Sequence, residues 1–413
     1  MIYKIKLGTH TIYSPELRDR GFNLESAKLS LELNKAGSLT FKIPHGHPKY
    51  DLIFKMRSII SVFRDDKLLF AGRVLHDSVD FYGSKEIYCE GELSYLLDSV
   101  VMPYQRTCSP GELFQQLIEN HNSLMNSWRY EREQHIRRKF DYYYSSPDFY
   151  KAIPAFQQSG YTNTWDEINY QLIEPFGGHL ELIYHDNDVQ GRKEVRWMPE
   201  DKKNVSKNEI VFGTNLIDLS FESTAENVCT ALIPLGGTDS NGNTVTITGV
   251  NNNQNFVFDQ TAVDEYGWIW KTNSWNNVTD ARALLNLGKE YLTKNCQSEF
   301  KVTVQAVDMS FIHGGTDRIE IGQHVRIRSK EHGLYTDRFI CNSVTHDLLD
   351  PSQDEYTFGS SYTGITDQGA SSNKYTIGGS VNENKKTQYG SATSDGISPI
   401  STEQIRNIWE SFG

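Results

Sequence analysis

Two histidines near the N-terminus have a spacing that could serve metal binding. His45 and His47 lie in the segment PHGHP, and imidazole is the side chain that most often binds zinc in proteins. No cysteine or third histidine follows with ligand spacing. The prolines and the glycine are instead typical of a turn that ends a strand. We therefore expect a turn here, with no metal and no cofactor.

A second group of oxygen-bearing residues resembles the start of a calcium loop. Asp239, Asn241 and Asn243 have the alternating spacing of such a loop, but its glycine is displaced to position 242 and the closing glutamate is absent. An asparagine followed by glycine is typical of a tight turn between strands. The pattern predicts a hairpin near residues 244–247.

The chain has no recognisable hydrolase motif. GxSxG, HExxH, a Walker loop and CxxC are all absent from the sequence. Acidic residues such as Glu167, Asp218 and Glu320 are interpreted as helix caps and strand-surface charges. Because a carboxylate pair can assemble only in the folded protein, a cell-wall hydrolase with its acids in the middle of the chain remains an alternative. We predict no catalytic residues.

Composition restricts the class of protein. The 413 residues are enough for roughly three domains at about 150 residues each. The 41 basic and 53 acidic residues give a formal charge of -12, which disfavours sequence-specific binding to nucleic acid. Five widely spaced cysteines predict reduced, buried thiols. Without a long apolar run or a signal peptide, the chain is expected to stay in the cytoplasm where it is made and not to insert into a membrane.

Three tryptophans, Trp268, Trp270 and Trp275, stand close together in the sequence. Such aromatic side chains can pack in a protein core or bind carbohydrate, and we interpret them first as packing of a hairpin. A helix with apolar residues three and four apart is predicted to begin after them, with Thr279 or Asp280 as its cap.

The first hundred residues have the pattern of short strands. Leu39, Phe41 and Ile43 alternate with polar residues, and the paired aspartates within Arg64–Lys67 predict the turn of a hairpin. Several short strands at such spacing indicate a barrel or a sandwich.

Capping signals predict two helices in the middle of the chain. Ser109 provides a capping hydroxyl directly before a proline, and apolar residues with helical spacing continue to about Asn122. Thr164 and Glu167 have the spacing of a capping box, and the apolar stripe that follows is expected to stop at Pro175.

The segment Ile319–Gly359 predicts three antiparallel strands joined by turns at His332-Gly333 and near Asp350. After Tyr362 the composition shifts to glycine, serine, asparagine, threonine and aspartate, which indicates a linker over 363–399. Residues 400–413 then predict a short amphipathic helix that docks on this chain or on another protein.

Three phrases carry a resemblance to a known family. The first is the series IEIG, HG, DLLDP and FG within residues 319–359. The second is TWDEINYQLIEPFGGHLEL in the middle of the chain. The third is IDLSFESTAENVCTALIPLGG, which begins at Ile217. Together they resemble the prophage tail protein family, which includes the tail-associated (Tal-like) and baseplate hub proteins of phages that infect Gram-positive bacteria.

The resemblance implies an α+β, mainly β fold of the baseplate-hub type. It consists of two small tube-like β-barrels, one of them discontinuous, and two inserted α/β peripheral domains. The expected boundaries are 1–100 for the first barrel, 101–204 for a helix-containing α+β domain, 205–235 plus 300–362 for the second barrel, 236–299 for an inserted hairpin and helix, 363–399 for the linker and 400–413 for the terminal helix.

By the same resemblance, the chain is a structural tail-tip or baseplate hub protein and not an enzyme, because the family's hydrolytic activity usually resides in an extra C-terminal domain. It is expected to form a homotrimer in the virion tail tip that joins the sixfold distal tail to a threefold tip and closes the DNA channel. Expected partners are the distal tail protein ring, the tape measure protein and receptor-binding or tip proteins, while DNA passes without sequence-specific contacts. The alternatives are a tail-associated peptidoglycan hydrolase, either endopeptidase or muramidase, and a carbohydrate-binding tip protein.

Two groups of residues are candidates for subunit or ring contacts. The basic side chains lie on the predicted strands of the second barrel, and the apolar side chains form one stripe of the terminal helix. They are Arg326, Arg328, Lys330, Ile405, Ile408, Trp409 and Phe412.

Overall fold

The computed structural model describes residues 3–125, 138–144, 155–158, 161–186, 188–199, 204–239, 242–276, 278–296, 299–307, 318–329 and 338–359. Strands dominate these ranges, and helices are few. No helix within them is both long and apolar enough to cross a membrane.

The strands, numbered in chain order, are β1 (Tyr3–Leu7), β2 (His10–Tyr13), β3 (Ser26–Glu32), β4 (Ser38–Ile43), β5 (Ile59–Arg64), β6 (Lys67–Val79), β7 (Lys85–Gly91), β8 (Gln105–Cys108), β9 (Asp141–Tyr144), β10 (Ala155–Gln158), β11 (His179–Tyr184), β12 (Lys193–Met198), β13 (Ile210–Val211), β14 (Leu216–Thr224), β15 (Ala231–Thr238), β16 (Thr244–Thr246), β17 (Val257–Phe258), β18 (Trp270–Trp275), β19 (Glu299–Ala306), β20 (His324–Arg328), β21 (Arg338–Asp347) and β22 (Glu355–Gly359). The α-helices are α1 (Pro110–Leu124), α2 (Thr164–Ile168), α3 (Glu174–Phe176), α4 (Gln260–Tyr266) and α5 (Ala281–Asn295). Short 3-10 turns occupy Pro15–Arg20, Tyr50–Leu52, Glu92–Asp98, Thr248–Val250 and Pro351–Gln353, and a π-helical turn at Asn169–Ile173 joins α2 to α3.

One long sheet of 13 strands unites the two ends of the described chain. Its order is β14-β19-β22-β21-β3-β4-β7-β6-β5-β1-β2, with β20 beside β21 and β13 beside β20. The connection between the halves is the antiparallel pair of β3 and β21, in register from Glu32 opposite Ser343 to Lys28 opposite Asp347. The hydroxyls of Ser30 and Thr345 add a side-chain contact of 3.1 Å there.

The mainly β character predicted from the sequence is confirmed, and two cores lie on the long sheet. One core contains Ile5, Phe41 and Val62 from the N-terminal strands, and the other contains Val304 and Phe358 from the later strands. The predicted division into two barrel halves stays a prediction, and the first core also includes Leu348, which directly follows β21. The continuous pairing of β3 with β21 was not predicted. That each half closes into a barrel stays a prediction.

The middle segment contains α1 and a sheet in the order β11-β12-β9. Ser109 and Glu112 form the capping box that begins α1, as the serine-proline pair predicted. The cap of α2 is Asn163, one residue before the predicted Thr164, because the Asn163 side chain accepts a hydrogen bond from the Asp166 amide at 2.8 Å. The helix does not stop at Pro175, which lies inside α3, and the chain turns at Gly177 with φ 72°.

The insertion has its own sheet of four strands, in which β15 pairs with β16, β17 and β18. The predicted hairpin is confirmed by the antiparallel pair of β15 and β16, and Asp280 is the cap of α5. The predicted boundary at residue 235 falls within β15. Pro234 of this strand packs against Gly288, so α5 covers the inner face of the sheet.

Gly91 ends β7 at a position where a side chain has no room. A Cβ atom on Gly91 would lie 1.8 Å from the Ala36 carbonyl oxygen, while one on Gly46 would have no atom within 4 Å. We expect Gly91→Ala to lower the free energy of unfolding in urea by about 3 kcal/mol, since backbone must move. Gly46→Ala is the control, expected within about 0.5 kcal/mol of the parent. Equal stability of the two variants would contradict this close approach.

Candidate functional site

A fully buried ion pair connects the long sheet to the middle segment. The Lys193 ammonium of β12 lies 2.5 Å from the Glu92 carboxylate, directly after β7, and neither side chain is exposed. Tyr184 of β11 adds a second link, because its hydroxyl oxygen accepts a hydrogen bond from the Ala71 amide of β6 at 3.1 Å. The middle segment is therefore held against the sheet by a fully buried ion pair and a partly buried hydrogen bond.

The ring of Tyr95 lies at the centre of a group of charged side chains, which we call the charged cluster: Arg73, Glu90, Glu92, Asp98, Arg138 and Lys193. Three cations lie around it, with Arg73 at 5.5 Å, Arg138 at 5.3 Å and Lys193 at 5.7 Å from the ring centroid. Cations are attracted to the negative face of an aromatic ring. The resulting contacts draw residues from the long sheet and from the middle segment to one aromatic side chain.

Carboxylates neutralise the cations of the charged cluster. Arg73 donates a hydrogen bond to Glu90 at 3.1 Å and also contacts Asp98. Asp98 lies 3.5 Å from Arg138 as well. Each buried charge thus has an opposite charge near it, which is the condition under which burial is tolerated.

Glu92 has a shifted pKa, as buried acids often do, but a substrate cannot reach it as it must reach a catalytic acid. Burial raises the pKa of Glu92, and the neighbouring Lys193 opposes this shift. The carboxylate and the ammonium are both 0% exposed, so a dissolved substrate does not reach them. We assign this pair a structural role.

Sequence-predicted acids and histidines also have structural contacts. Glu167, which was predicted to form a capping box with Thr164, is buried. Its carboxylate instead accepts hydrogen bonds from the Tyr104 hydroxyl at 2.7 Å and the Thr162 hydroxyl at 2.6 Å. His47 is buried as well, with Nε2 2.9 Å from the Ile12 carbonyl oxygen and Nδ1 accepting from the Lys49 amide at 3.0 Å. Burial lowers the pKa of His47. Both of its ring nitrogens are thereby used within the protein.

Two of the predicted contact residues, Arg326 and Arg328, lie on β20. They bind the two oxygens of Glu209, at 2.9 Å and 2.7 Å, and their side chains remain 42% and 51% exposed. A single carboxylate opposite two guanidinium groups leaves an excess positive charge on this surface. Lys330, Ile405, Ile408, Trp409 and Phe412 lie outside the described residues.

Two exposed apolar residues lie near these arginines along the backbone: the Phe212 amide donates to the Arg328 carbonyl oxygen at 2.9 Å, and Phe212 bridges to Leu216, directly before Ile217. Phe212 directly follows β13, the neighbour of β20, and is 46% exposed, while Ile217 on the edge strand β14 is 53% exposed. We call the exposed residues Phe212, Ile217, Arg326 and Arg328 the β14–β20 surface. Glu209 and Phe212 could not be identified from the sequence, because both join the surface through pairing of β13 with β20, more than a hundred residues away along the chain.

The three neighbouring tryptophans have different environments. Trp275 is buried and packs edge-on against Tyr291, with ring centroids 5.9 Å apart. Trp268 and Trp270 are about half exposed, and their rings stack at 5.4 Å with an interplanar angle of 13°. The prediction of packing holds for Trp275, whereas the other two form an aromatic surface.

None of the five cysteines exposes its thiol to solvent. All five are free and buried, as predicted. Burial raises the pKa of Cys341 to about 12, so its thiol stays protonated at neutral pH.

The fold over most of the chain is similar to that of solved prophage tail proteins. Gp18 from Listeria monocytogenes EGD-e has 15% identity and a TM-score of 0.54, over 88% of this chain and 96% of that one. A tail protein from Neisseria meningitidis MC58 has 13% identity and a TM-score of 0.58, over 87% and 96%. The 43 kDa tail protein of prophage MuSo2 from Shewanella oneidensis has 12% identity and a TM-score of 0.55, over 87% and 98%.

Residues 204–369 match the family described as prophage endopeptidase tail. The resemblance to prophage tail proteins found in the sequence is therefore confirmed, by the family match in this region and by the fold over most of the chain. No curated protein matches the chain significantly.

Substitutions at Lys193 and Glu92 test whether this ion pair stabilises the fold. Lys193→Met leaves a buried carboxylate without its cation, so we expect a loss of about 3–5 kcal/mol in unfolding free energy. Adding Glu92→Leu removes the orphaned charge and is expected to restore at least half of that loss. Lys4→Met breaks the exposed pair with Asp66 and serves as the control, with an unchanged urea midpoint. A double variant no more stable than Lys193→Met would contradict coupling between the two side chains.

Proposed function

We propose that this chain is a structural hub protein of a phage or prophage-derived tail tip, located in the virion after synthesis and assembly in the bacterial host. The observation that carries the proposal is the family match over residues 204–369. The fold shared with three prophage tail proteins supports it over most of the chain. In this role the protein acts through its shape and its contacts and not through catalysis.

The hub assembles as a homotrimer, and an edge of the long sheet supports this step. The nine-residue strand β14 pairs with β19 along one side, and no strand of the described residues pairs with its other side. An uncovered strand edge is a template for association with another chain. Three copies related by rotation would each place this edge against a different surface of the next copy and thereby close a ring.

The β14–β20 surface is the contact that we assign to this ring. Its exposed apolar side chains lose water on association, and its excess positive charge attracts the chain's predominantly acidic surface, since the formal net charge is -12. In the complete tail the ring would join the sixfold distal tail protein ring to a threefold tip, and would also contact the tape measure protein and the receptor-binding or tip proteins. An acidic channel wall would let DNA pass without sequence-specific binding.

Measurement of mass in solution tests the ring. We expect the full chain at 10 µM to have three chain masses by light scattering, and Ile217→Lys combined with Arg328→Glu to have one, because both the apolar and the electrostatic contact are lost. Phe81→Ala combined with Tyr82→Ala removes exposed apolar rings elsewhere, 95% and 85% exposed, and is expected to remain trimeric. A monomeric parent chain would refute the trimer, and a trimeric double variant would refute this surface.

The peptidoglycan hydrolase is the competing function. The word endopeptidase in the family description is a name. Of the acids singled out in the sequence, Glu167 is buried, and its carboxylate already accepts hydrogen bonds from two hydroxyl groups of the chain. We expect purified protein to release no soluble fragments from Gram-positive peptidoglycan, with a muramidase as the positive control. Release that disappears with Glu167→Gln, but not with the surface variant Glu265→Gln, would establish a hydrolase instead.

A further inference from the structure

Four aromatic rings form a closed group on the outer face of the insertion. Neighbouring ring centroids are 6.0 Å apart for Phe256 and Phe258, 5.4 Å for Phe258 and Trp268, 5.4 Å for Trp268 and Trp270, and 5.0 Å for Trp270 and Phe256. Trp268 is 52% exposed, Trp270 49% and Phe258 39%. We call these four rings the aromatic platform. So much exposed aromatic surface in one place is typical of an interaction site.

The backbone beneath the platform fixes the rings before any ligand arrives. Phe258 and Trp270 flank Ala231 of β15 on either side, and this small residue is fully buried between them. The buried Thr230 hydroxyl donates to the Gly267 carbonyl oxygen at 2.7 Å and accepts from the Ile269 amide at 2.8 Å. Trp268, between those two residues, is thus held on both sides. A preorganised surface loses little conformational entropy on binding.

Hydroxyl groups continue this face beyond the rings. Because side chains alternate along a strand, Thr272 and Ser274 point to the same side as Trp270, and both are exposed. Thr246 of β16 is exposed too and lies opposite Leu235, which is itself opposite Ser274. The row from Trp270 to Ser274 is roughly 13 Å long at the rise of a strand.

This outer face is uncharged where the structure describes it. The nearest charged neighbours in the strands are engaged elsewhere: the Asp259 carboxylate accepts a hydrogen bond from the Ala262 amide at 2.9 Å, and the Lys271 ammonium donates to the Asn227 carbonyl oxygen at 2.8 Å. A platform for nucleic acid would require basic residues beside the rings to bind phosphates. An uncharged face with rings and hydroxyls fits a neutral ligand that has both apolar faces and hydroxyl groups.

We propose that the aromatic platform, together with Thr272 and Ser274, binds a neutral oligosaccharide. The C–H faces of the sugar rings stack on Trp268 and Trp270, where the negative face of the indole meets the weakly positive hydrogens. The sugar hydroxyls exchange hydrogen bonds with the threonine and serine hydroxyls along β18. This binding site is independent of the trimer and of the hub role.

Titration of the full chain with defined glycans tests the proposal. The probes are soluble neutral oligomers of N-acetylglucosamine, glucose and galactose, with an acidic galacturonate oligomer for comparison, monitored by tryptophan fluorescence and calorimetry. At least one neutral probe is expected to bind saturably. Trp270→Ala and Trp268→Ala should each weaken it about tenfold or more, and Trp270→Phe should weaken it less, since stacking on an aromatic ring is retained.

The controls separate loss of the platform from loss of the fold. Phe81→Ala with Tyr82→Ala removes two exposed rings outside the insertion and should leave glycan affinity unchanged. If Trp270→Ala unfolds at a lower urea concentration, Trp268→Ala, which lies outside the sheet, answers the same question. Binding of the acidic probe alone, no binding of any neutral probe, or unchanged affinity in a folded tryptophan variant would each overturn the proposal. Loss of the trimer on changing Trp270, without glycan binding, would identify the face as a contact between copies instead.

Discussion

The contact between Lys193 and Glu92 is the constraint on which the arrangement of the middle segment depends. Burying either charge alone would cost several kcal/mol, so each is tolerated only while the other is in place. The two residues come from elements 101 positions apart in the chain. Where β12 lies relative to the long sheet is therefore coupled to charge neutralisation and not only to the fit of apolar side chains.

Three regions of the molecule, one in the interior and two on the surface, have different physical characters that suit different tasks. The charged cluster around Tyr95 contains the fully buried pair of Lys193 and Glu92 and connects parts of one chain. The β14–β20 surface combines a strand edge that no described strand covers with exposed apolar groups and excess positive charge, which suits contact with another protein. The aromatic platform is uncharged, and it lies on a separate sheet covered on its inner face by α5. Assembly and ligand binding can therefore occur at separate places.

Features encoded by neighbouring residues were predictable from the sequence, and features that require distant residues were not. The start of α1 follows from Ser109, the proline after it and Glu112, all within one turn. The start of α2 was misplaced by one residue because the hydroxyl of Thr164 contacts Ser99 at 2.7 Å, a partner from another element, which leaves the capping role to Asn163. Glu209, the partner of both arginines on β20, could not be identified without knowledge of the strand pairing.

The different exposure of the tryptophans follows in part from their spacing in the sequence. Trp270 and Trp275 are an odd number of residues apart on one strand, so their side chains point to opposite faces of the sheet. One exposed and one buried ring follow from that spacing. Which face is covered by a helix, however, depends on the packing of α5 and required the structure.

The pairing of β3 with β21 also affects how the protein is made. Ser30 and Thr345 are 315 residues apart, so at common translation rates the ribosome delivers β21 about 15 to 60 s after β3. During that interval β3 has β4 beside it and an open edge on its other side. An open edge invites pairing with a neighbouring nascent chain. The strands β21 and β22 therefore also protect β3, and a ribosome that stalls before residue 338 would release a chain with a sheet prone to aggregation.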